Sequence, residues 1–217
     1  MPEDRPDVGV KAHLLFPTPL FTAAVPGAAE LCAALRATIL AREVATPSVA
    51  HSNLGGWQSD TDLEDWGGEP VATLFDFARA LATNVTTDRA GEGLVPGWDV
   101  YGWANVNRRG DANEFHSHPE SVWSGVLYVD DGGCADDEAL GGAFEMQDPR
   151  GIAPAMFAPT WVPKIPQGES MGATVELRPR AGEVLLFPSW LSHQVRPYLG
   201  DGVRISIAFN LKPQRRA

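Results

Sequence analysis

Cysteine is nearly absent: the 217 residues hold two, Cys32 and Cys134. Two thiols cannot build a cysteine-rich metal site, and the expectation is that they stay unpaired. Any metal must therefore be held by histidine and carboxylate. Basic residues are scarce as well, with 17 Lys and Arg against 28 Asp and Glu and a net charge of −11. Apart from Arg215-Arg216 they do not cluster, so phosphate backbones would be repelled and no nucleic-acid partner is expected. No run of 18 apolar residues occurs, so no membrane span is expected. The start, Met1-Pro2-Glu3-Asp4-Arg5, lacks the basic-then-apolar pattern of a secretion signal, which makes a cytoplasmic location the expectation. Internal repeats and low-complexity linkers are missing too.

What remains is ordinary for a soluble globular chain: 44% apolar residues and 21% charged. Glycine (22) and proline (18) approach a fifth of the sequence, which favours many short elements joined by tight turns. The length suits one domain with a buried core.

Leu14 to Phe21, interrupted by Pro17 and Pro19, reads as a short strand at a sheet edge. Pro26 fits the first turn of a helix carrying Leu31, Leu35 and Ile39 on one face, with Pro47 beyond its end. Ser52 to Ser59 reads as loop, and Asp60 to Glu69 as an acidic, solvent-facing stretch. Val71, Leu74, Phe75, Ala78, Leu81 and Val85 recur near the 3.6-residue period and mark a second amphipathic helix. From about residue 97 the runs have strand composition: Trp98–Val106, Val122–Val129, Gly142–Met146, Thr174–Leu177, Glu183–Phe187, Ser192–Pro197 and Val203–Leu211. Strands in succession after two helices predict a mostly β sandwich or barrel with the helices on one outer face. The expected organisation is a single domain over 1–217, in which 1–96 packs on a β core of 97–213. The excursion Asp148–Gly172, with five prolines, is too long for a hairpin and reads as a lid or binding loop.

Two of the five histidines sit in Phe115-His116-Ser117-His118-Pro119-Glu120. On a strand, residues two apart share a face, so His116 and His118 would project side by side. His193 lies 75 residues beyond His118. Three imidazoles suit iron, zinc, copper or nickel and leave coordination positions open. An isolated His-x-His can equally be a surface pair at a turn. The last strand bears on that choice. Val203, Ile205, Ile207, Phe209 and Leu211 share one face, and Arg204, Ser206, Ala208 and Asn210 the other. If the apolar face meets the helices, Arg204 is buried, and a buried guanidinium needs an anion opposite it. Its planar fork suits a carboxylate held in bidentate fashion, with Ser206 adding a hydrogen bond. A structural salt bridge to one of the chain's own acidic residues is the other reading.

Taken together, several motifs resemble the iron(II)/2-oxoglutarate-dependent oxygenase superfamily, in particular an uncharacterised bacterial and phage branch. They are Trp103-Ala104-Asn105-Val106-Asn107, Asn113 to Pro119, Ser124 to Tyr128, Leu186-Phe187-Pro188-Ser189-Trp190-Leu191-Ser192-His193 and Arg204 to Asn210, with Leu15 to Pro19 and Asn53 to Ser59 upstream. The resemblance implies a double-stranded β-helix (a cupin-like jelly roll) whose inner face holds Fe(II). It also implies that Arg204 and Ser206 bind the distal carboxylate of 2-oxoglutarate, while Tyr128 and Asn107, with Tyr101 and Asn105, could point inward and hydrogen-bond this co-substrate. The eleven-residue step from His193 to Arg204 predicts that the two lie on adjacent antiparallel strands. One departure stands out. The superfamily's carboxylate ligand sits two residues after the first histidine, where this chain has His118. Either the site has three histidines, or the register shifts and Glu120 is the ligand. Three histidines is the preferred reading, because Pro119 bends the strand before Glu120.

The function implied is a dioxygenase hydroxylating a small molecule or peptide. Two other classes remain: a three-histidine cupin-type metalloenzyme that does not use 2-oxoglutarate, and a non-catalytic jelly-roll binding module. Homodimers are common among bacterial enzymes, so a homodimer is an expectation of habit alone. Trp123 and Trp190 read as core or pocket wall, His13 and His51 as surface. Asp130, Asp131, Asp136, Asp137 and Glu138 read as a solvated turn, with a calcium site as the alternative.

Overall fold

Gly27, at φ 64°, turns the chain into the first helix, α1 (Ala28–Ala45), so the helix starts two residues after Pro26 rather than at it. The computed structural model describes residues 9, 11, 13–91, 97–153, 156, 160 and 172–214. Helix α1 buries Cys32, Leu35 and Ile39, while Leu31 is only partly covered. The short α2 (Leu63–Trp66) forms inside the acidic stretch expected to face solvent. Leu63 is fully buried there, and Asp62 accepts hydrogen bonds from Trp66 Nε1 (2.9 Å) and Arg42 (3.4 Å), which is why the segment folds back. Helix α3 (Gly68–Asn84) buries Val71, Leu74, Phe75, Ala78 and Ala82, as its spacing predicts.

The strands are β1 (Phe21–Ala24), β2 (Asn53–Leu54), β3 (Trp57–Gln58), β4 (Trp98–Asn107), β5 (Ala112–His116), β6 (Trp123–Asp130), β7 (Phe144–Gln147), β8 (Thr174–Leu177), β9 (Glu183–Pro188), β10 (His193–Val195) and β11 (Arg204–Pro213). They form a six-stranded sheet in the order β1-β9-β6-β11-β4-β3 and a five-stranded sheet in the order β2-β5-β10-β7-β8. Every pairing is antiparallel. This is the double-stranded β-helix that the strand succession and the resemblance together predict.

Three local expectations are corrected. Strand β1 begins at Phe21, where the anticipated strand was to end. Pro17 and Pro19 cannot donate to a ladder, and Leu14, Leu15 and Phe16 stay exposed. Ser52 to Ser59 is not plain loop: Gly55 and Gly56 adopt φ 71° and 68°, and the turn they make hands the chain from β2 in one sheet to β3 in the other. His193 and Arg204 are not on adjacent strands, since β10 and β11 belong to different sheets. The link between them crosses the gap, anchored by Tyr198, which is buried and donates its hydroxyl to the Gly132 carbonyl (2.9 Å).

Strand β11 is central. Its Ile205, Ile207, Phe209 and Leu211 join Ala104, Val106, Leu127 and Leu186 in one core with the buried faces of α1 and α3. A smaller apolar cluster (Val126, Tyr128, Phe144, Met146, Leu185, Phe187, Leu191) includes residues of both sheets. Phe209 lies in register with Gly102 on one side and Gly125 on the other. A Cβ at Gly125 would run into the Phe209 ring, and one at Gly102 would sit 2.6 Å from the Ala208 carbonyl. These glycines make room for the ring. Gly125→Ala is expected to cost about 1–3 kcal/mol by overpacking, read as a fall in the urea midpoint. Among the described residues, no helix is long and apolar enough to cross a membrane.

The loop reading of Asp148–Gly172 falls largely outside the described residues, as do Met1–Arg5 and the Arg215-Arg216 tail. At its base, Asp148 accepts from Arg150 (2.7 Å) and from the Gly172 amide (2.6 Å), so its carboxyl is held down to about 2.

Candidate active site

His193, the first residue of β10, pairs in register with His116, the last of β5. Two residues further along β10, Val195 faces Asn113, so β5 has one residue more than its partner over this interval. Such a bulge re-aims side chains, and here the His116 and His193 rings come to 4.4 Å between centroids. His118 lies beyond the end of β5, so the two histidines are not a same-face strand pair as expected. A turn places it instead: the His118 amide donates to the Ser189 carbonyl (2.8 Å), and the His118 carbonyl accepts from the Ser121 amide (3.2 Å). Its ring is still 4.9 Å from that of His116 and 5.3 Å from that of His193. One nitrogen from each ring can be chosen so that all lie within 4.8 Å of one another, a spacing that could hold a metal ion.

The ring orientations suit that task. His116 Nδ1 is 2.8 Å from the Glu114 carbonyl and His193 Nδ1 is 2.8 Å from the Leu191 carbonyl. A carbonyl only accepts, so each Nδ1 carries the proton and each Nε2 keeps a free lone pair. Burial, with repulsion from the neighbouring rings, lowers His193 to about 3 and His118 to about 4; burial also lowers His116. All three are therefore neutral near pH 7, the form that ligates a metal. Glu120 is not brought to this cluster. Its side chain is 82% exposed and pairs with Lys212 at 3.2 Å.

Arg204 is 1% exposed, on the inner face of β11. It donates to the Tyr128 hydroxyl (2.9 Å) and to Asn107 Oδ1 (3.3 Å), and its guanidinium lies 4.8 Å from the Tyr128 ring centre. Among the described residues it has no carboxylate partner, so none of their acidic groups forms a structural salt bridge with it, and its Nε has no hydrogen-bond partner. Ser206 is buried in the next inward position, in register with Tyr128 on one side and Asn105 on the other. A fully buried cation with donors to spare and no counter-ion fits an anion that comes from outside the chain.

The model of the family described as "Putative 2OG-Fe(II) oxygenase" matches residues 101–210, which span every one of these groups. The chain belongs to this family. No curated protein matches it. Solved structures do. A prolyl-4-hydroxylase from Pseudomonas putida is 18% identical, with a TM-score of 0.62 over 91% of this chain and 94% of its own. HygX from Streptomyces hygroscopicus, with nickel and 2-oxoglutarate bound, is 15% identical, with a TM-score of 0.61 over 91% of this chain and 83% of its own. A prolyl hydroxylase from Trichoplax adhaerens, in complex with a hypoxia inducible factor peptide, is 13% identical, with a TM-score of 0.61 over 89% and 83%. At these identities the likeness is one of fold.

As a member of this family the protein is an oxidoreductase, with iron(II) as cofactor and 2-oxoglutarate as co-substrate. Three neutral imidazoles, two of them with Nε2 left free by their Nδ1 hydrogen bonds, fit the ion, and Arg204 with its unpartnered Nε fits a carboxylate.

The histidines also set a pH dependence for the metal-free oxygenase. Its unfolded chain takes up protons near pH 6.5, whereas the folded one resists them down to about 4 at His118 and about 3 at His193. The unfolded state then binds more protons, so stability is whole above pH 6.5 and is lost as the pH falls towards 3. Urea midpoints of metal-stripped protein should fall steadily between pH 6.5 and 4; a flat profile would contradict buried, neutral rings.

Some side chains were misplaced in the sequence reading. Trp190 is 54% exposed, in the turn between Ser189 and His193, and is not core; Trp123 is. The acidic turn is solvated as expected, with Asp136, Asp137 and Glu138 exposed, and surface ion pairs join Asp130 to Arg36 and Asp136 to Arg180. Both cysteines are free and buried. Gln58 and Trp103, which no sequence motif assigns a role, both face the interior, Gln58 opposite Asn105 and Trp103 opposite Ala208. The alternation within β3, Trp57 towards the helix-side core and Gln58 away from it, is the one signal that could have found Gln58.

Proposed function

We propose that the protein is an iron(II)- and 2-oxoglutarate-dependent dioxygenase that hydroxylates an organic substrate, with His116, His118 and His193 as the metal ligands. Arg204 seats the distal carboxylate of 2-oxoglutarate, with Ser206, Tyr128 and Asn107 completing the pocket. The observation carrying this reading is Arg204, buried with spare donors and without a counter-ion on the face opposite the histidine cluster.

When bound, iron supplies a centre at which O₂ oxidises 2-oxoglutarate to succinate and CO₂ and transfers one oxygen atom to the substrate. The chain's own part is placement. The Glu114 and Leu191 carbonyls hold two imidazoles in the ligating tautomer. Phe144 and Phe187, with ring centres 5.3 and 4.9 Å from His193, keep water from that side. The Tyr128 hydroxyl accepts from Arg204 and fixes the fork while leaving Nε and a share of the other donors for the carboxylate.

A second reading has a specific observation behind it. Three neutral ligands replace the usual two histidines and a carboxylate, which favours a cupin-type enzyme that binds its substrate's own carboxylate at Arg204. Anaerobic protein loaded with Fe(II) and 2-oxoglutarate, then exposed to air, distinguishes the two. The dioxygenase forms succinate without added substrate, slowly and in step with CO₂. A full equivalent of metal with no succinate favours the cupin-type reading, and no metal at all favours a binding module. The substrate belongs among small molecules or peptides: a related structure holds hygromycin B and another a peptide. We also take the chain to be one cytoplasmic domain, with 1–96 supporting a 97–213 core.

A further inference from the structure

Two carboxamides lie buried in the interior, and one of them has an oxygen without a hydrogen-bond partner. Gln58 is 3% exposed and Asn105 7% exposed. They face each other in the β3–β4 register, and Asn105 faces Ser206 in turn, so the three form one inward row. Gln58 Oε1 is buried without any hydrogen-bond partner. Asn210, on the same inner face, shows the ordinary solution: it accepts from Ser124 Oγ (2.6 Å) and donates to the Tyr101 hydroxyl (3.2 Å). Native structures seldom leave a buried amide idle unless a ligand or water completes it.

The next inward residue of β4 is Trp103. It is only half-buried although it sits on the inner face, and its ring centre is 5.5 Å from that of His118. Tyr101, two residues on, continues the aromatic surface at 6.5 Å. The inner face of β4 thus offers an aromatic wall against a metal-ligand candidate, followed by Asn105 and, across the β3–β4 pairing, the unpartnered Gln58 Oε1. The side chains of the strip itself are uncharged, and at its rim Lys212 Nζ lies 5.1 Å from the Tyr101 ring centre. Arg204 is the buried ion of the interior among the described residues. Glu145, the other buried ion, alternates with the inward Phe144 and Met146 and is held by Gln194 and Arg196. At the rim Lys212 is paired with Glu120.

We propose that the substrate to be oxidised lies along the inner face of β4, stacked on Trp103 and hydrogen-bonded by Gln58 and Asn105, and that it is an uncharged ring compound bearing an amide or hydroxyl group. This rests on the metal and co-substrate assignments above. An anion would compete with 2-oxoglutarate for Arg204, and a cation would meet no carboxylate. A carboxamide pair, by contrast, both donates and accepts, and an aromatic wall takes the apolar face of a saturated ring.

The test uses the full chain loaded with Mn(II) and saturated with 2-oxoglutarate, reading paramagnetic relaxation of added probes by proton NMR. The probes are two pairs that differ by a carboxylate: N-acetylprolinamide with N-acetylproline, and methyl glucoside with methyl glucuronide. At least one uncharged member should relax about fivefold faster than its charged twin, and which one does so separates an amide from a hydroxyl source. Trp103→Leu should remove that excess with Mn(II) and 2-oxoglutarate uptake unchanged. Gln58→Met should also remove it, while the melting temperature of the metal-free protein stays level or rises, because a buried amide oxygen without a partner has been taken away. Probes that relax alike or not at all, an excess that survives Trp103→Leu, or a clear fall in melting temperature for Gln58→Met each overturn the proposal. A wild-type protein that takes up no Mn(II) overturns the metal assignment first and this inference with it.

Discussion

His193→Ala should leave the protein folded and without metal. The ring is 4% exposed, carries its proton on Nδ1 towards Leu191 and sits closest to His116, so it is the fixed corner of the cluster. Structural four-ligand zinc sites are worth roughly 10–16 kcal/mol, or about 3 kcal/mol per ligand, so losing one ligand should weaken binding about 100-fold or more. Dialysed wild type is expected to retain one equivalent of iron by elemental analysis, and the variant a small fraction of that. Succinate formation should vanish with it. Loss of fold is guarded against by circular dichroism, since truncating a buried imidazole costs on the order of 1–3 kcal/mol through one lost hydrogen bond and a small cavity. His118→Ala should behave in the same way, and Glu120→Ala should not. Glu120 is held at the surface by Lys212, so metal retention there decides the second ligand in favour of His118. A His193→Ala protein that keeps a full equivalent of iron would sink the ligand set.

The second large effect is expected at Arg204. Arg204→Met should weaken 2-oxoglutarate binding by two to three orders of magnitude and leave metal content alone. Removing one partner of a buried ion pair costs about 3–5 kcal/mol, because the other charge is left without compensation, and here that charge belongs to the co-substrate. The measurement is the weak visible band of the anaerobic Fe(II)–2-oxoglutarate complex, titrated in both proteins. Arg204→Lys should recover little, since an ammonium lacks the planar fork and cannot keep both the Tyr128 and Asn107 contacts. A companion result separates a binding arginine from a structural one. Without metal or co-substrate, Arg204→Met should be no less stable than wild type, because the guanidinium it removes has no counter-ion and an idle Nε. A large loss of stability in that state would point to a structural role, and an unchanged band would remove Arg204 from the pocket.

The parts of this molecule legible in its sequence are those governed by short-range periodicity. The alternation of Arg204 to Leu211 told which face meets the helices, and Ile205, Ile207, Phe209 and Leu211 do fill that core. The spacing of Val71, Leu74, Phe75 and Ala78 located a helix face in the same way. Where prediction missed, the deciding contact was distant. Nothing local says that Gly55-Gly56 carries the chain between sheets, or that Leu63 is buried in an acidic stretch.

The candidate site divides along the same line. Residue type and order made His116, His118, His193, Arg204 and Ser206 candidates, and the resemblance to the oxygenase superfamily chose among the readings that imidazole and guanidinium left open. How they meet was a tertiary matter. His118 reaches the cluster from a turn held by Ser189 rather than from the strand, and a bulge against β10 aims His116. His193 and Arg204 stand on opposite sheets, although eleven residues could equally have made a hairpin. Whether Arg204 met a carboxylate of its own chain could not be read from the sequence, since the chain offers 28 of them. The fold answered it by burying Arg204 away from all described ones, and by burying Gln58 Oε1 without a partner beside Asn105. Composition excluded a cysteine-rich metal site and pointed to many short elements joined by tight turns. Sheet pairing over a hundred residues of separation decided which polar groups find partners within the chain and left Arg204 Nε and Gln58 Oε1 without one.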